Sequence, residues 1–220
     1  LSDYYHTRFG VDARSVRFPG IISNGALPGG GTTDYAVEVF YEVAKHGRYT
    51  CEVPKDTYMD MLYMPDALEA TTQLMEADPS KLVHRNSFNV TSMSFTPEQL
   101  FTAIKKRVPS FTWDYNVDPV KAQISASWPD CLDDSCAREE WGWNPKWGMD
   151  QMIDDMLEAC RKKVENGEQP PDSPELKFIE KYNGKYNLIP CYLKEGLFYI
   201  SNKLKKIDTF KKEKFERKLK

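Results

Sequence analysis

The stretch Arg17-Phe18-Pro19-Gly20-Ile21-Ile22, followed after a short spacer by Pro28-Gly29-Gly30-Gly31-Thr32-Thr33-Asp34-Tyr35, constrains the fold more than any other part of the chain. A β-branched apolar run stops at Pro-Gly, and a glycine-rich loop then feeds a helix. Open α/β sheets place their ligands at such points, outside the carboxyl end of a strand. Glycine lets backbone approach a ligand closely. Thr32, Thr33 and Asp34 carry oxygens that suit a helix cap and equally an amine or hydroxyl. The loop is not a Walker A loop, because no Lys-Ser or Lys-Thr follows it, and it lacks the G-x-G-x-x-G order of a dinucleotide turn. On these residues alone, Gly29 to Gly31 as a plain surface loop stands beside the ligand-site reading.

The rest of the chain alternates between the two periodicities. Ala13 to Ile22 reads as a strand, and Asp34 to Lys45 as a helix with Val37, Phe40, Tyr41 and Ala44 on one face. A strand near Tyr49 to Val53 precedes the Met61 to Met64 segment, and Pro65-Asp66 starts a helix running to about Ala77. Phe88 to Thr91 reads as a strand. Thr96-Pro97-Glu98 opens a helix with an N-cap and a proline at its first position. Phe111 to Tyr115 is a strand, Val120 to Ser125 a helical turn, Asp134 to Trp141 a short helix and Met149 to Val164 a longer amphipathic one. Asp3 to Phe9 reads as the end of a helix stopped by Gly10. Helices alternating with strands make an α/β fold.

Bulk properties exclude several classes. A net charge of −3 argues against a chain devoted to nucleic acid, and no apolar run is long enough for a membrane-spanning helix. The five cysteines form no C-x-x-C pair and the three histidines stand far apart in sequence, so no metal site is expected. The thiols are expected to be reduced, in an intracellular protein of the cytoplasm or mitochondrial matrix.

Four blocks carry a resemblance. The first is the Arg17 to Ile22 run with the Pro28 to Tyr35 loop. The second is Met61-Leu-Tyr-Met-Pro-Asp66, and the third is Phe88-Asn-Val-Thr-Ser-Met-Ser-Phe-Thr-Pro-Glu98. The fourth runs from Ser127-Trp128-Pro129 through Leu132-Asp133-Asp134-Ser135 and Ala137-Arg138 to Trp141-Gly142-Trp143. In this order the chain resembles the L-threonine 3-dehydrogenases of the short-chain dehydrogenase type, members of the extended, epimerase-like branch. The resemblance implies the carboxy-terminal part of such a protein, a Rossmann-like sheet remnant with a small substrate-binding subdomain over residues 1–165. It implies NAD as cofactor, L-threonine as substrate, 2-amino-3-oxobutyrate as product, no metal, and a homodimer.

Site residues follow from the same match. Pro19, Gly20 and Ile21 would lie beside the nicotinamide. Thr32, Thr33 and Asp34 would bind the substrate, with Asp34 countering its ammonium, unless Asp34 is only a helix cap. Trp128 would cover the substrate as a lid, with a buried core tryptophan as the rival reading. Trp141 and Trp143 read as core, and Met59, Met61 and Met64 as packing residues. No catalytic residue is assigned, because the family's Tyr-x-x-x-Lys is absent here: Tyr4 is followed four residues later by Arg8, and Tyr5 by Phe9. The chain alone is therefore expected to be inactive, with an open sheet edge. Other readings are an extended short-chain dehydrogenase acting on a nucleotide sugar and a non-enzymatic binding or dimerisation remnant. Residues 166–220 read as a linker, Asn166 to Pro174, and a basic tail, partly helical or disordered. Ile200, Leu204, Ile207 and Phe210 recur there at helical spacing. Contact of that tail with nucleic acid or membrane is the lesser reading.

Overall fold

The computed structural model of the chain describes residues 1–25, 28 and 30–167, together with the backbone of residues 187–189 and 197–201. The expected strand from Ala13 to Ile22 is two strands in different sheets, β1 (Ala13–Arg17) and β2 (Gly20–Ile22). The break falls at Phe18-Pro19. Proline offers no N–H to a ladder and fixes its own φ, so pairing cannot run through it. Beyond it the chain changes partners. β1 pairs parallel with β5 (Phe88–Asn89), Val16 opposite Phe88. β2 pairs parallel with β4 (Met59–Tyr63), Gly20 opposite Met61 and Ile22 opposite Tyr63. β4 in turn pairs antiparallel with β6 (Met93–Phe95).

Helices make the crossovers that parallel pairing requires. Between β2 and β4 lie a 3-10 turn (Thr32–Asp34), α2 (Tyr35–His46) and β3 (Arg48–Cys51). After β4 comes α3 (Met64–Glu76), and after β6 comes α4 (Pro97–Arg107). β3 pairs parallel with β7 (Thr112–Tyr115). α5 (Pro119–Ala126), α6 (Ser135–Trp141) and α7 (Met149–Asn166) complete this part. At the start of the chain, α1 (Ser2–Phe9) stops at Gly10, whose φ of 63° ends it in the left-handed conformation expected there.

β4 is buried at every position and divides the core. Side chains alternate across a strand, so Met59, Met61 and Tyr63 join Phe40, Phe101 and Met156 in one apolar cluster. Leu62 joins Val16, Leu74, Phe88 and Trp143 in a second. The central strand thus carries two cores, one under α2, α4 and α7 and one under α3.

α4 begins as its sequence requires. Thr96 Oγ1 accepts from the Gln99 N–H at 3.3 Å, and the Thr96 N–H donates to Gln99 Oε1 at 3.0 Å. This reciprocal cap satisfies two donors that a helix start leaves open. Replacing Thr96 with alanine is expected to lower stability by about 1 kcal/mol, read as an earlier urea midpoint at constant slope.

The far edge of β1 differs from expectation. β9 (Leu197–Ser201) pairs antiparallel along it, Ala13 opposite Ser201 and Arg17 opposite Leu197, and β8 (Asn187–Ile189) pairs with β9. β1 therefore has a neighbour on both sides, where an open edge was expected. Ile200, assigned by its spacing to a helix, sits in a strand whose backbone hydrogen bonds go to β1. Leu204, Ile207 and Phe210 lie outside the described residues.

Candidate substrate and cofactor site

Gly20 opens β2, and space explains why it carries no side chain. A Cβ there would lie 2.6 Å from Met61 Sδ and 2.8 Å from Thr33 Cγ2. Thr33 therefore rests on the strand, and the Thr32–Asp34 turn and β2 form one contact. Pro19, Gly20 and Ile21 are half-buried, as are Thr32, Thr33 and Asp34. Gly30 has φ of 88°, a conformation open to glycine at low cost; Gly29 lies outside the described residues.

Asp34 does not cap α2, which has no side-chain cap at its first turn. Its carboxylate turns back instead, and Oδ2 accepts from the Gly31 N–H at 2.9 Å. The Asp34 N–H donates to the Gly31 carbonyl at 3.1 Å. The acidic group is thereby part of the loop's own geometry, with its negative charge held beside Thr32 and Thr33.

Behind the site runs a polar network that periodicity does not reveal. The Asn24 side chain, just past β2, donates to the Tyr63 hydroxyl at 3.3 Å. Tyr63 donates to the Asp155 carboxylate on α7, and Lys163 of the same helix donates to the Asn24 carbonyl. Burial, then the hydrogen bond to Asp155, pushes the Tyr63 hydroxyl well above its ordinary pKa, so it remains a donor. The Tyr63 ring meets Trp147 edge-on, with centroids 5.0 Å apart. α7 therefore fixes the chain where it leaves β2. Lys163 and Asn24 stand 139 positions apart, so no local pattern signals the contact.

Trp128 is 41 % exposed, which removes the core reading. Trp143 is core as expected, at 2 % exposure, and Trp141 packs half-buried against the same cluster. α5 packs against the 3-10 turn, and its last turn runs on through backbone hydrogen bonds from Ser127 to Ile124 and from Trp128 to Ser125. Trp128 thus follows directly on the helix that touches the Thr32–Asp34 turn.

The segment after Trp128 is anchored by residues whose role the sequence left unassigned. Asp60 Oδ2 accepts from the Leu132 N–H at 2.9 Å, while Oδ1 accepts from Thr91 Oγ1. Ser94 Oγ donates to the Asp130 carbonyl at 2.5 Å, and Asn89 Nδ2 to that of Asp133 at 2.8 Å. Burial pushes the Asp60 carboxyl up, and the hydrogen bonds from Thr91 and Leu132 oppose it. The side chains of Asp60, Asn89 and Ser94 are fastening points of the segment after Trp128.

No protein-family model matches the chain. Among curated proteins it is 55 % identical over 166 residues to an uncharacterized epimerase/dehydratase of Staphylococcus haemolyticus, covering 76 % of this chain and 52 % of that one. A homologue named in the same way from Staphylococcus aureus is 54 % identical over 163 residues, covering 74 % and 51 %. Among solved structures, the L-threonine dehydrogenase of Clostridium difficile is 52 % identical with a TM-score of 0.72, covering 74 % of this chain and 51 % of the other. That of Phytophthora infestans is 49 % identical with a TM-score of 0.71, covering 76 % and 53 %. Over about three quarters of its length the chain is thus similar to proteins named epimerase/dehydratase and to L-threonine dehydrogenases. It spans about half the length of the relatives it matches, and its α/β fold with parallel strands agrees with theirs.

Proposed function

We propose that this chain is the substrate-facing part of an NAD-dependent dehydrogenase that oxidises L-threonine to 2-amino-3-oxobutyrate. The observation that carries the reading is the contact of Thr33 with Gly20, which sets a hydroxyl-rich, acidic loop directly against a strand end. Pro19, Gly20 and Ile21 are apolar and half-buried, a surface suited to one face of a flat nicotinamide ring. NAD would supply the hydride acceptor. The chain's own residues bind and orient: Thr32 and Thr33 offer hydroxyls to the substrate, Asp34 offsets an ammonium charge, and Trp128 closes over the site to exclude water.

The small loop and the tryptophan favour an amino acid over a nucleotide sugar, whose diphosphate calls for basic residues that this loop lacks. A homodimer fits the exposed aromatic cluster on α1. Tyr4, Tyr5 and Phe9 are 60 %, 40 % and 60 % exposed, with ring centroids 5.5–6.0 Å apart. Apolar surface gathered in this way marks an interaction face. The intracellular setting, cytoplasm or mitochondrial matrix, is part of the same proposal.

The test is NADH formation by the whole protein that carries this chain, with L-threonine against a nucleotide sugar. Threonine-dependent reduction of NAD is the expected result; turnover of the sugar alone would reverse the assignment. Thr32→Val keeps the side chain's shape and removes its hydroxyl. It is expected to raise the KM for threonine about tenfold, the loss of one hydrogen bond to a charged group.

A further inference from the structure

The three histidines and five cysteines look unconnected along the sequence, yet the fold gathers one of each beside a carboxylate. α6 presents Cys136 and Glu140 four residues apart, on one face of the helix. His84 arrives from the loop that leads into β5, 56 residues from Glu140 along the chain. His84 Nδ1, Cys136 Sγ and a Glu140 carboxylate oxygen all lie within 4.8 Å of one another. We propose that His84, Cys136 and Glu140 form a binding site for a divalent cation of the zinc type, separate from the dehydrogenase site.

The donor set selects the class of ion. A thiolate, an imidazole and a carboxylate together suit zinc and its borderline neighbours, whereas magnesium and calcium take oxygen ligands. Tetrahedral zinc with bonds of about 2.0–2.3 Å holds its ligand atoms about 3.5 Å apart. Reaching that spacing needs shifts of about 1 Å, His84 Nδ1 parting from the Glu140 carboxylate while Cys136 Sγ moves in, within reach of exposed side chains. Two of the three are exposed: the His84 side chain at 57 %, and Cys136.

Glu140 is the fixed wall of the site. Its side chain is 9 % exposed, and Oε2 accepts from the backbone N–H groups of Val83 and His84 at 2.8 and 2.9 Å. Those bonds orient the carboxylate so that Oε1 meets His84 Nδ1. Burial pushes the Glu140 carboxyl up, but the His84 ring and the two backbone donors outweigh it and hold the group below the usual range. The His84 ring is itself set edge-on to Phe88, with centroids 6.4 Å apart, an outer contact of the kind that orients metal ligands. A bound cation would take the place of the proton between His84 Nδ1 and Glu140 Oε1. Water completes the fourth position, and the loop before β5 is clamped to α6.

The test uses the full chain, reduced and stripped of metal, titrated with Co2+ as an optical probe that Zn2+ should displace. The expected result is one equivalent of Co2+ bound with a thiolate charge-transfer absorption. That band disappears in Cys136→Ser, weakens at least tenfold in affinity in His84→Gln and Glu140→Gln, and persists in Cys131→Ser, which removes the other exposed thiol among the described residues. A wild-type chain without the band, or a band that survives Cys136→Ser, overturns the proposal. Should Glu140→Gln fail to fold, Cys136→Ser and Cys136→Ala decide alone, because an exposed thiol carries no packing.

Discussion

Substituting Arg14 with alanine should lower the unfolding free energy by about 3–5 kcal/mol, the range for breaking a buried ion pair from one side. Arg14 is 2 % exposed although it lies in the middle of β1. Its guanidinium reaches the end of α3, which lacks the left-handed glycine that closes α1, α2, α6 and α7. Nη1 donates to the carbonyls of Leu74, Met75 and Ala77 at 2.5, 3.3 and 2.8 Å. A helix end leaves such carbonyls without partners, and a cation beside them also answers the helix dipole. The remaining donors form a fork on Asp12, Nε to Oδ1 at 3.0 Å and Nη2 to Oδ2 at 2.8 Å. Alanine would strand the three carbonyls and half-strip the carboxylate. Arg14→Lys should recover part of the loss, since it restores charge but not the fork.

The same variant changes the response to acid. Burial raises the Asp12 carboxyl, but the hydrogen bond and charge of Arg14, with those of Arg85 at 2.7 Å, bring it below the ordinary value. A depressed folded pKa means that Asp12 stabilises fully above the ordinary carboxylate pKa, near 4. The contribution is lost as pH falls through the folded value. Arg14→Ala should therefore flatten the stability loss below about pH 4, measured by urea titration at several pH values. A loss under about 1 kcal/mol, or an unchanged acid limb, would show that the guanidinium is not the cap.

Arg14 also marks where sequence reading stops. Thr96 with Pro97 starts a helix and Gly10 stops one through local rules, so these boundaries were legible in advance, whereas Gly47, Gly142 and Gly167 close α2, α6 and α7 in the same left-handed conformation without having been read as stops. The buried face of α2 was legible too, because periodicity reports which side meets a core. Asp66 was not. It is 1 % exposed and accepts from the N–H groups of Lys146 and Trp147, both at 3.0 Å, pinning a loop some 80 positions away. Asp60 on Leu132 and Tyr63 on Asp155 are alike: polar side chains meeting groups far along the chain. Neither periodicity nor a short motif encodes such partners. The position of Thr32, Thr33 and Asp34 after a strand was readable, whereas the turn of Asp34 back onto Gly31 was not, since a cap and a loop brace use the same residue types. The strand break at Pro19 was written in the sequence, yet the segments on each side of it, with Val16 and Phe18 before and Ile21 and Ile22 after, read as one strand until the partners are known.

On the proposed function, replacing Gly20 with alanine in the whole protein that carries this chain should leave it folded but lower kcat/KM about 100-fold, the scale set by a displacement of about 1 Å at a reacting centre. The added methyl would sit 2.6 Å from Met61 Sδ and 2.8 Å from Thr33 Cγ2. Neither can yield freely. Met61 is fully buried in the core and paired to Gly20 across the ladder. Thr33 is β-branched, which leaves its side chain few rotamers, and it lies within the 3-10 turn whose ends are tied by Gly31 and Asp34. The least costly response is for the turn to lift off the strand, carrying Thr32, Thr33 and Asp34 away from Pro19 and Ile21. Overpacking of this kind costs about 1–3 kcal/mol, smaller than the effect of Arg14→Ala, so the protein should stay folded while its activity falls. Thr33→Ser supplies the control: it removes the methyl that Gly20→Ala would strike while keeping the hydroxyl. The double variant Gly20→Ala with Thr33→Ser should regain at least tenfold of the lost activity, because the contact that lifts the turn is relieved, leaving the one with Met61 Sδ to be absorbed within the core. Full activity in Gly20→Ala alone, or no recovery in the double variant, would mean that the seating of Thr33 on β2 does not position the substrate. The chemistry would then have to be sought elsewhere on the loop.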